Sequence, residues 1–234
     1  MKKFILLFFI LLPATFFISS CEDLDLGDLT GELTDQEVVA GLKEALNVGS
    51  DTAVAQGSAF DGYFGNALIK IAFPEDAAIV ETVLSAVPGG DVLLDLLVEK
   101  LNRAAEDAAV KATPILKDAI LGINFDDAWD ILNGADTAAT NYLRVNTFSS
   151  LYDAFKPDIE TSLESVGAQQ AWEDVIDLYN SIPFTDDVNT DLADYTTNRA
   201  LGGLFVLVGQ EENKIRNDVS HQVTDLLEKV FGNN

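Results

Sequence analysis

This sequence contains little of the residue types that carry most protein chemistry. Among 234 residues there are one cysteine, one histidine and one methionine, and 14 lysines and arginines stand against 39 acidic residues. A single thiol excludes an internal disulfide and a cysteine-rich zinc site. The net charge of −25, without a basic patch, excludes nucleic acid as a partner, because phosphate backbones are bound through clustered lysines and arginines.

The common catalytic and nucleotide-binding motifs are missing as well. The sequence has no GxSxG, no P-loop and no GxGxxG. His221 follows Asp218 and Ser220, but residues so close along a polar stretch rarely converge as a catalytic triad. We therefore interpret His221 as a solvated side chain and predict no catalytic residue, metal or cofactor from these patterns.

The position of the only cysteine indicates its role. Lys2 and Lys3 precede an apolar run over residues 4–18, and two serines lead from that run to Cys21. The run is shorter than the about 20 residues of a membrane-spanning helix, so residues 1–20 are interpreted as a lipoprotein signal peptide. Cys21 would then carry lipid, with the membrane as its partner. The expected location is the bacterial cell envelope, at the outer membrane, on its periplasmic side or at the surface.

Residues 21–33 are predicted to be the lipidated cysteine and a short acidic tether. Positions 22–33, EDLDLGDLTGEL, contain five acids, two glycines and no base. Thr34 and Glu37 have the spacing of a capping box, which marks the start of a helix. The folded domain is therefore predicted to span residues 34–232.

The hydrophobic pattern of that domain predicts an all-α fold. It favours a single bundle-like domain of about eight helices, because convincing alternating strands are missing apart from a short extended piece, IKIAF. We expect Asp91 to cap an apolar helix that runs to about Thr113 in the middle of the domain. The other expected helices begin near Thr34 and Glu75, after the caps Asn124 and Asp136, over 148–166, 168–181 and 192–217, and from Asp225.

Four stretches of this chain resemble one family. They are VVAGLKEAL at 38–46, LNRAAEDAAVKATPI at 101–115, LNGADTAATNYLR at 132–144 and DYTTNRALGGLF at 194–205, and EENKIR at 211–216 and DLLEKVFG at 225–232 add to them. The chain is thereby similar to bacterial envelope proteins catalogued as domain of unknown function 4197. The resemblance implies a single helical domain behind an export signal, with no established activity.

These stretches place polar residues on helices that are otherwise small and apolar. If the faces meet, a polar cluster forms inside the bundle, either as ion pairs that fix helix register or as the lining of a pocket. Its predicted members are Asn102, Arg103, Glu106, Asp136, Thr137, Tyr142, Tyr195 and Arg199.

Three functions stay open from the sequence. The first is a non-catalytic module that binds a partner protein or a small amphiphile between helices, with an apolar groove near Leu204, Phe205 and Leu207. The second is a carboxylate-dependent envelope hydrolase that uses Glu106 and Asp136 about 5–10 Å apart. The third is a weak divalent-cation site in the loop 187–191, whose oxygen spacing resembles a calcium loop without its glycine and glutamate.

Gly202 and Gly203 interrupt the apolar run 200–208. Paired glycines in a helix lower its stability, so we expect another helix or a ligand to approach closely there, with helix packing favoured.

Overall fold

Helices form the regular structure of the computed structural model, which describes residues 33–183, 188 and 190–232. Nine α-helices and no strands occur in this described part, which confirms the all-α prediction. The α-helices are α1 Asp35–Ser58, α2 Ala78–Leu84, α3 Gly90–Ala108, α4 Ala112–Leu121, α5 Phe125–Leu132, α6 Ala138–Ser165, α7 Ala168–Asn180, α8 Leu192–Asn217 and α9 Asp225–Phe231. Short 3₁₀ helices occupy Glu75–Ala77, Ala109–Lys111 and Val219–His221. The predicted signal peptide, Cys21 and the tether to residue 32 lie outside the described residues.

The long helix α8 is central to the packing of the compact unit Asp35–Asn234. It packs against α1 and against α6, and it also contacts α3. Around it, α3 packs against α6 and α7, while α5 and α9 pack against α1. Fully buried leucines such as Leu97, Leu143 and Leu204 fill the interior. Each contributes on the order of 1.5–3 kcal/mol through removal of apolar surface from water.

A buried carboxylate fixes the start of α6 against α8. One Glu212 oxygen accepts from Ala139 N at 2.9 Å, and the other accepts from Thr140 N and Thr140 Oγ1 at 2.7 Å. Arg216 neutralises this carboxylate at 3.0 Å. The prediction that Asp136 caps this helix is wrong, because the first free amides of α6 are satisfied from the neighbouring helix.

The two helices predicted over 136–145 and 148–166 are one continuous helix, α6. Asn146 and Thr147, which lie between the two predicted helices, donate to the carbonyls of Tyr142 and Leu143 at 2.8 and 2.7 Å. Their side chains therefore bond within the helix instead of ending it. Pro157 also lies inside α6, where it removes one backbone donor without dividing the element.

The apolar helix α3 differs from prediction at its start and in its burial. Gly89, in a left-handed conformation, precedes its first residue Gly90, and Asp91 lies inside the first turn instead of capping it. Leu94, Leu97 and Leu101 are buried, but Val92 is exposed on the opposite side. Only one side of α3 faces the core. The prediction that α3 lies in the middle of the domain is therefore wrong for its exposed side.

Residues 59–74, named the linker segment here, connect α1 to the 3₁₀ turn before α2 without regular structure. Ile69, Ile71 and Phe73 are buried, while Lys70 and Ala72 between them are exposed. This alternation is typical of extended chain, in agreement with the predicted IKIAF piece. Without a ladder or helix, however, the buried backbone groups of this segment need other partners.

The Glu212 carboxylate yields the first testable prediction. We expect Glu212→Ala to lower the free energy of unfolding by about 3–5 kcal/mol, because it leaves Arg216 without its buried partner and two α6 amides uncapped. Glu173→Ala, which removes an exposed carboxylate from α7, serves as the control and should change stability by less than about 0.5 kcal/mol. Urea denaturation followed by circular dichroism measures both. Equal effects of the two substitutions would contradict this role for Glu212.

Candidate functional site

Five of the eight residues predicted to form one polar cluster share a structural task. Asn102, Arg103 and Glu106 on α3, and Tyr195 and Arg199 on α8, all contact the linker segment or Glu75 directly after it. They supply the partners that this irregular stretch of chain cannot supply for itself.

Asn102 acts as a substitute strand neighbour. Its side chain is fully buried; Oδ1 accepts from Ile71 N and Nδ2 donates to Ile71 O, both at 2.8 Å. The amide thus satisfies both backbone groups of one buried linker residue, as an adjacent strand would.

Glu106 and Arg103 form the second attachment. Glu106 Oε1 accepts from the amides of Tyr63 and Phe64, each at 3.1 Å, and its Oε2 pairs with Arg103 at 2.8 Å. Arg103 also reaches Asp61 at 2.7 Å. Glu106 is buried, and this arginine and two amides compensate its charge. This arrangement matches the first alternative for the predicted cluster, in which ion pairs hold elements of the fold together.

Tyr63 of the linker segment and Tyr195 of α8 complete the attachment by bonding the segment to α8. The buried Tyr63 hydroxyl donates to Ala200 O at 2.7 Å. Tyr195 donates toward the carbonyls of Ala72 and Phe73 at 3.1 and 3.3 Å, and Arg199 pairs with Glu75. The linker segment is consequently held between α3 and α8 along most of its length.

The remaining three predicted residues lie in separate contacts. Tyr142 donates to Asp127 at 3.1 Å, Asn141 donates to Thr137 at 3.4 Å, and Asn213 donates to Asp136 at 3.4 Å. These contacts lie on or beside α5, α6 and the second half of α8, away from Glu106. The eight residues therefore do not form one cluster within the described part of the chain.

This separation bears on the hydrolase hypothesis. Glu106 binds the backbone of Tyr63, whose hydroxyl reaches residue 200, whereas Asp136 contacts residue 213 of the same helix. No described hydrogen bond or ion pair joins the two carboxylates or gives them a shared partner, so the structure lends no support to a carboxylate pair that works at about 5–10 Å.

The other candidate chemistries gain no support from the described residues. Asp218 and Ser220 both contact the same nitrogen of His221, Nδ1, at 3.1 and 3.3 Å, whereas a triad uses the two ring nitrogens separately. No group of three or more histidine, cysteine or acidic side chains there is arranged to hold a metal ion. Residues 187 and 189 of the predicted calcium loop lie outside the described part.

A long groove runs along the outer face of α8, and we call it the α8 groove. It consists of two adjoining concave sections, both of which include Arg144, Gly202 and Val206. The α6 section, about 710 Å³, is also lined by Thr137, Thr140, Asn141, Phe205, Gly209, Gln210, Asn213 and Lys214. The linker section, about 520 Å³, is also lined by Leu68, Ile69, Lys70, Ile71, Phe148, Asn198, Arg199 and Gly203. Both volumes fall within the about 300–1,000 Å³ of small-molecule sites.

The charge of this groove is opposite to that of the whole protein. Four cations line it, namely Lys70, Arg144, Arg199 and Lys214, and no aspartate or glutamate does. The complete sequence has 39 acidic residues against 14 basic ones. A surface without acids in such a chain is electrostatically suited to an anionic ligand.

Two of these cations, Lys70 and Arg144, differ from the rest because they make neither an ion pair nor a hydrogen bond to a backbone carbonyl within the described part of the chain. Twelve lysines and arginines lie in the described part of the chain; eight make ion pairs, and Lys43 and Lys100 donate to backbone carbonyls. Lys70 and Arg144 alone among the twelve make neither kind of contact with a described residue, although Lys70 lies 4.3 Å from the centre of the Phe64 ring. Both unpaired cations line the linker section.

The adjacent glycines of α8 have different surroundings. A Cβ on Gly203 would lie 2.7 Å from Tyr63 Cε1 and 3.1 Å from Ile69 Cβ, so the linker segment packs directly on this residue. A Cβ on Gly202 would meet nothing within 4 Å, because this residue forms the floor of the groove. The expected close packing holds for Gly203 and does not hold for Gly202.

The apolar surface expected near Leu204, Phe205 and Leu207 is displaced around the helix. Leu204, Phe205 and Leu207 are all buried, although Phe205 also borders the groove, where it stacks with Phe148 at 6.5 Å between ring centres. Val206 is the residue of this stretch that stays exposed. The face open to a ligand therefore carries Gly202, Val206, Gly209 and Asn213, which repeat at helical spacing.

Sequence reasoning identified Arg199 and Thr137 but missed Lys70, Arg144 and Lys214. Arg144 ends the family-like stretch 132–144, and Lys214 lies within the stretch 211–216. Nothing in the sequence showed which residues surround these two cations, so neither was assigned to a site. One signal in the sequence could have found them: cations are rare in this acidic chain, yet several of them lie within the family-like stretches. That the linker segment brings Lys70 to the same groove could not be read from spacing.

This chain belongs to the family described as "Protein of unknown function (DUF4197)", whose model matches residues 32–232. No curated protein and no solved structure matches the chain. Within the described residues, no helix has the length and apolar character needed to cross a membrane.

The two glycines provide a matched pair of substitutions. We expect Gly202→Ala to raise the free energy of unfolding by roughly 0.5–1 kcal/mol, because alanine favours the helix and its Cβ meets no protein atom. Gly203→Ala should lower it by about 1–3 kcal/mol, because the added carbon overlaps Tyr63 and Ile69. Chemical denaturation distinguishes these outcomes. Destabilisation by both substitutions would show that the floor of the groove is filled by the protein itself.

Tyr63 gives a prediction for alkaline pH. Burial raises the pKa of its phenol well above the ordinary value, and the nearby Glu106 carboxylate raises this pKa further. The folded protein therefore holds the phenolic proton more tightly than the unfolded chain. Its contribution to stability is fully present below pH about 10, the pKa of an unfolded tyrosine, and is lost as the pH rises through the higher folded pKa.

We expect the Tyr63 phenol to ionise only when the protein unfolds, as followed by tyrosinate absorbance with circular dichroism in parallel. That component should disappear in Tyr63→Phe, which should also cost about 0.5–1.5 kcal/mol at neutral pH through loss of the bond to Ala200. Tyr142→Phe is the control and should leave the late component in place. Ionisation of all tyrosines before unfolding would contradict the burial of Tyr63.

Proposed function

We propose that this protein is held at the bacterial cell envelope by acyl chains on Cys21 and that its helical domain is a non-catalytic binding module. The basic start, short apolar run and small residues before Cys21 support the anchor. More than one acyl chain gives stable attachment to a membrane. The acidic tether then separates the domain from anionic headgroups. We propose the outer membrane as the location of this anchor.

The α8 groove is the observation that carries the binding function. It is concave, it is large enough for a small molecule, and it is lined by four cations without an acid. Side chains that serve only the fold of an acidic protein would be expected to pair with the abundant carboxylates, as ten of the twelve described cations do with carboxylates or carbonyls. Lys70 and Arg144 leave their charge available to a ligand, which is either a small amphiphile or an acidic part of a partner protein.

The described contacts favour binding over catalysis. Both Glu106 oxygens are engaged, one by the amides of Tyr63 and Phe64 and the other by Arg103, and its described contacts include no second carboxylate of the kind that hydrolysis requires. Five of the eight polar residues predicted for the cluster instead support the linker segment, which forms one side of the groove. Their role in this proposal is to position the binding surface.

Mass spectrometry of the full chain, produced with its own leader and purified from a bacterial envelope in nonionic detergent, tests the proposal. Under denaturing conditions, we expect a chain that begins at Cys21 and carries acyl mass. Under native conditions, we expect a further non-covalent adduct. Gly202→Leu should abolish this adduct, because its side chain occupies the floor of the groove without contact to the protein at Cβ.

Ala55→Leu is the matched control, since it adds similar bulk to an exposed position of α1 outside the groove. It should retain the adduct. A chain without acyl mass would contradict the anchor. A protein without an adduct, or an adduct that persists in Gly202→Leu, would contradict the groove as the binding site.

A further inference from the structure

We propose that the ligand of the α8 groove is a small anionic amphiphile, a phosphate or carboxylate on an alkyl chain, with its anionic group between Arg144 and Lys70. The inference rests on the proposed function and specifies its ligand. It follows from the juxtaposition, within the linker section, of two unpaired cations and an uncovered apolar surface.

The apolar surface lies beside the cations. Leu68 is 70% exposed and Val206 is 42% exposed, and both line the linker section together with Phe148. Large apolar side chains on a concave surface favour a ligand that removes them from water, at about 25 cal/mol per Å² of apolar area. An alkyl chain is the simplest ligand that does so without polar groups of its own.

The two cations determine the charge of the ligand. The planar guanidinium of Arg144 matches a carboxylate or a phosphate through paired hydrogen bonds, and Lys70 adds a compact positive charge. Because neither makes an ion pair with a described residue, an incoming anion displaces no carboxylate, although Lys70 also lies 4.3 Å from the centre of the Phe64 ring. Arg199 and Lys214 are already paired with Glu75 and Glu211 and are expected to contribute less.

A small molecule fits the surroundings better than an acidic protein segment. Glu75, whose side chain is 79% exposed, lies at the edge of this section through its pair with Arg199. An extended acidic chain would meet that carboxylate and the general surplus of negative charge, whereas a ligand confined to the linker section meets no carboxylate among its lining residues. Like charges across an interface lower affinity and slow association.

The same surplus bears on the source of the amphiphile. A net charge of −25 repels the protein from an anionic bilayer surface, and four groove cations cannot offset it. The ligand is therefore taken up as a free monomer and not bound within an intact membrane.

Binding assays on residues 22–234 test this inference. The compact unit Asp35–Asn234 contains the whole described core, and circular dichroism confirms helical folding of each variant before use. Isothermal titration with decyl phosphate, below its micelle concentration, is compared with decyl glucoside, inorganic phosphate and a peptide of residues 22–33. We expect decyl phosphate to bind at least about tenfold more tightly than each of the other three, which corresponds to about 1.4 kcal/mol.

Substitution of the two cations tests where the anionic group of the ligand binds. Arg144→Gln and Lys70→Gln should each weaken decyl phosphate binding about tenfold and leave decyl glucoside binding unchanged. Lys117→Gln, which removes a cation outside the groove, is the matched control and should have no effect on either ligand. Vesicles of anionic phospholipid should not retain the wild-type chain at physiological salt.

The outcomes separate this inference from the function on which it rests. Equal binding of decyl glucoside, or of inorganic phosphate, would overturn the anionic amphiphile but leave a groove ligand in place. Tighter binding of the peptide, or retention on vesicles that depends on Arg144, would replace it with an acidic segment or a bilayer lipid. Failure of every probe to bind a protein that retains its native adduct would overturn the inference alone, and failure together with loss of that adduct would overturn both.

Discussion

The linker segment 59–74 depends on hydrogen bonds from side chains, and the candidate site depends on the linker segment. Its buried residues belong to neither a helix nor a strand; turns within the segment bond some of its backbone groups, and side chains of α3 and α8 bond others. Asn102 does this for Ile71, and Glu106 does it for Tyr63 and Phe64. The attachment places Leu68 and Lys70 along α8, so that the linker segment and α6 enclose a groove on that helix.

Cations are scarce in this protein, and most of those described are paired with carboxylates. With so large an acidic surplus, most lysines and arginines are held by a carboxylate, and several of those pairs join elements distant in sequence, as Lys229 with Glu37 and Arg103 with Asp61. Exposed pairs of this kind contribute little to stability individually. Their larger effect is on the electrostatic field, because they neutralise the cations locally and leave Arg144 and Lys70 as the positive charges open to a ligand.

The sequence predicted the helical class and most element positions because those follow from local periodicity and caps. Asn124 caps α5 as expected, with Oδ1 accepting from Asp127 N at 3.0 Å, and α8 has the predicted bounds. Where tertiary contacts replace local ones, prediction failed: α6 is capped by Glu212 from another helix, not by Asp136. The polar residues of the candidate cluster were recognised by type, but only the three-dimensional structure shows that five of them hold the linker segment.

A crystal structure of the full chain, produced with its own leader in bacteria and purified without removal of lipids, tests the account most directly. It should contain elongated density along α8 over Gly202 and Val206, with one end within hydrogen-bond distance of the Arg144 guanidinium. A groove that contains only water, with Arg144 and Lys70 in ion pairs with the protein's own carboxylates, would contradict it.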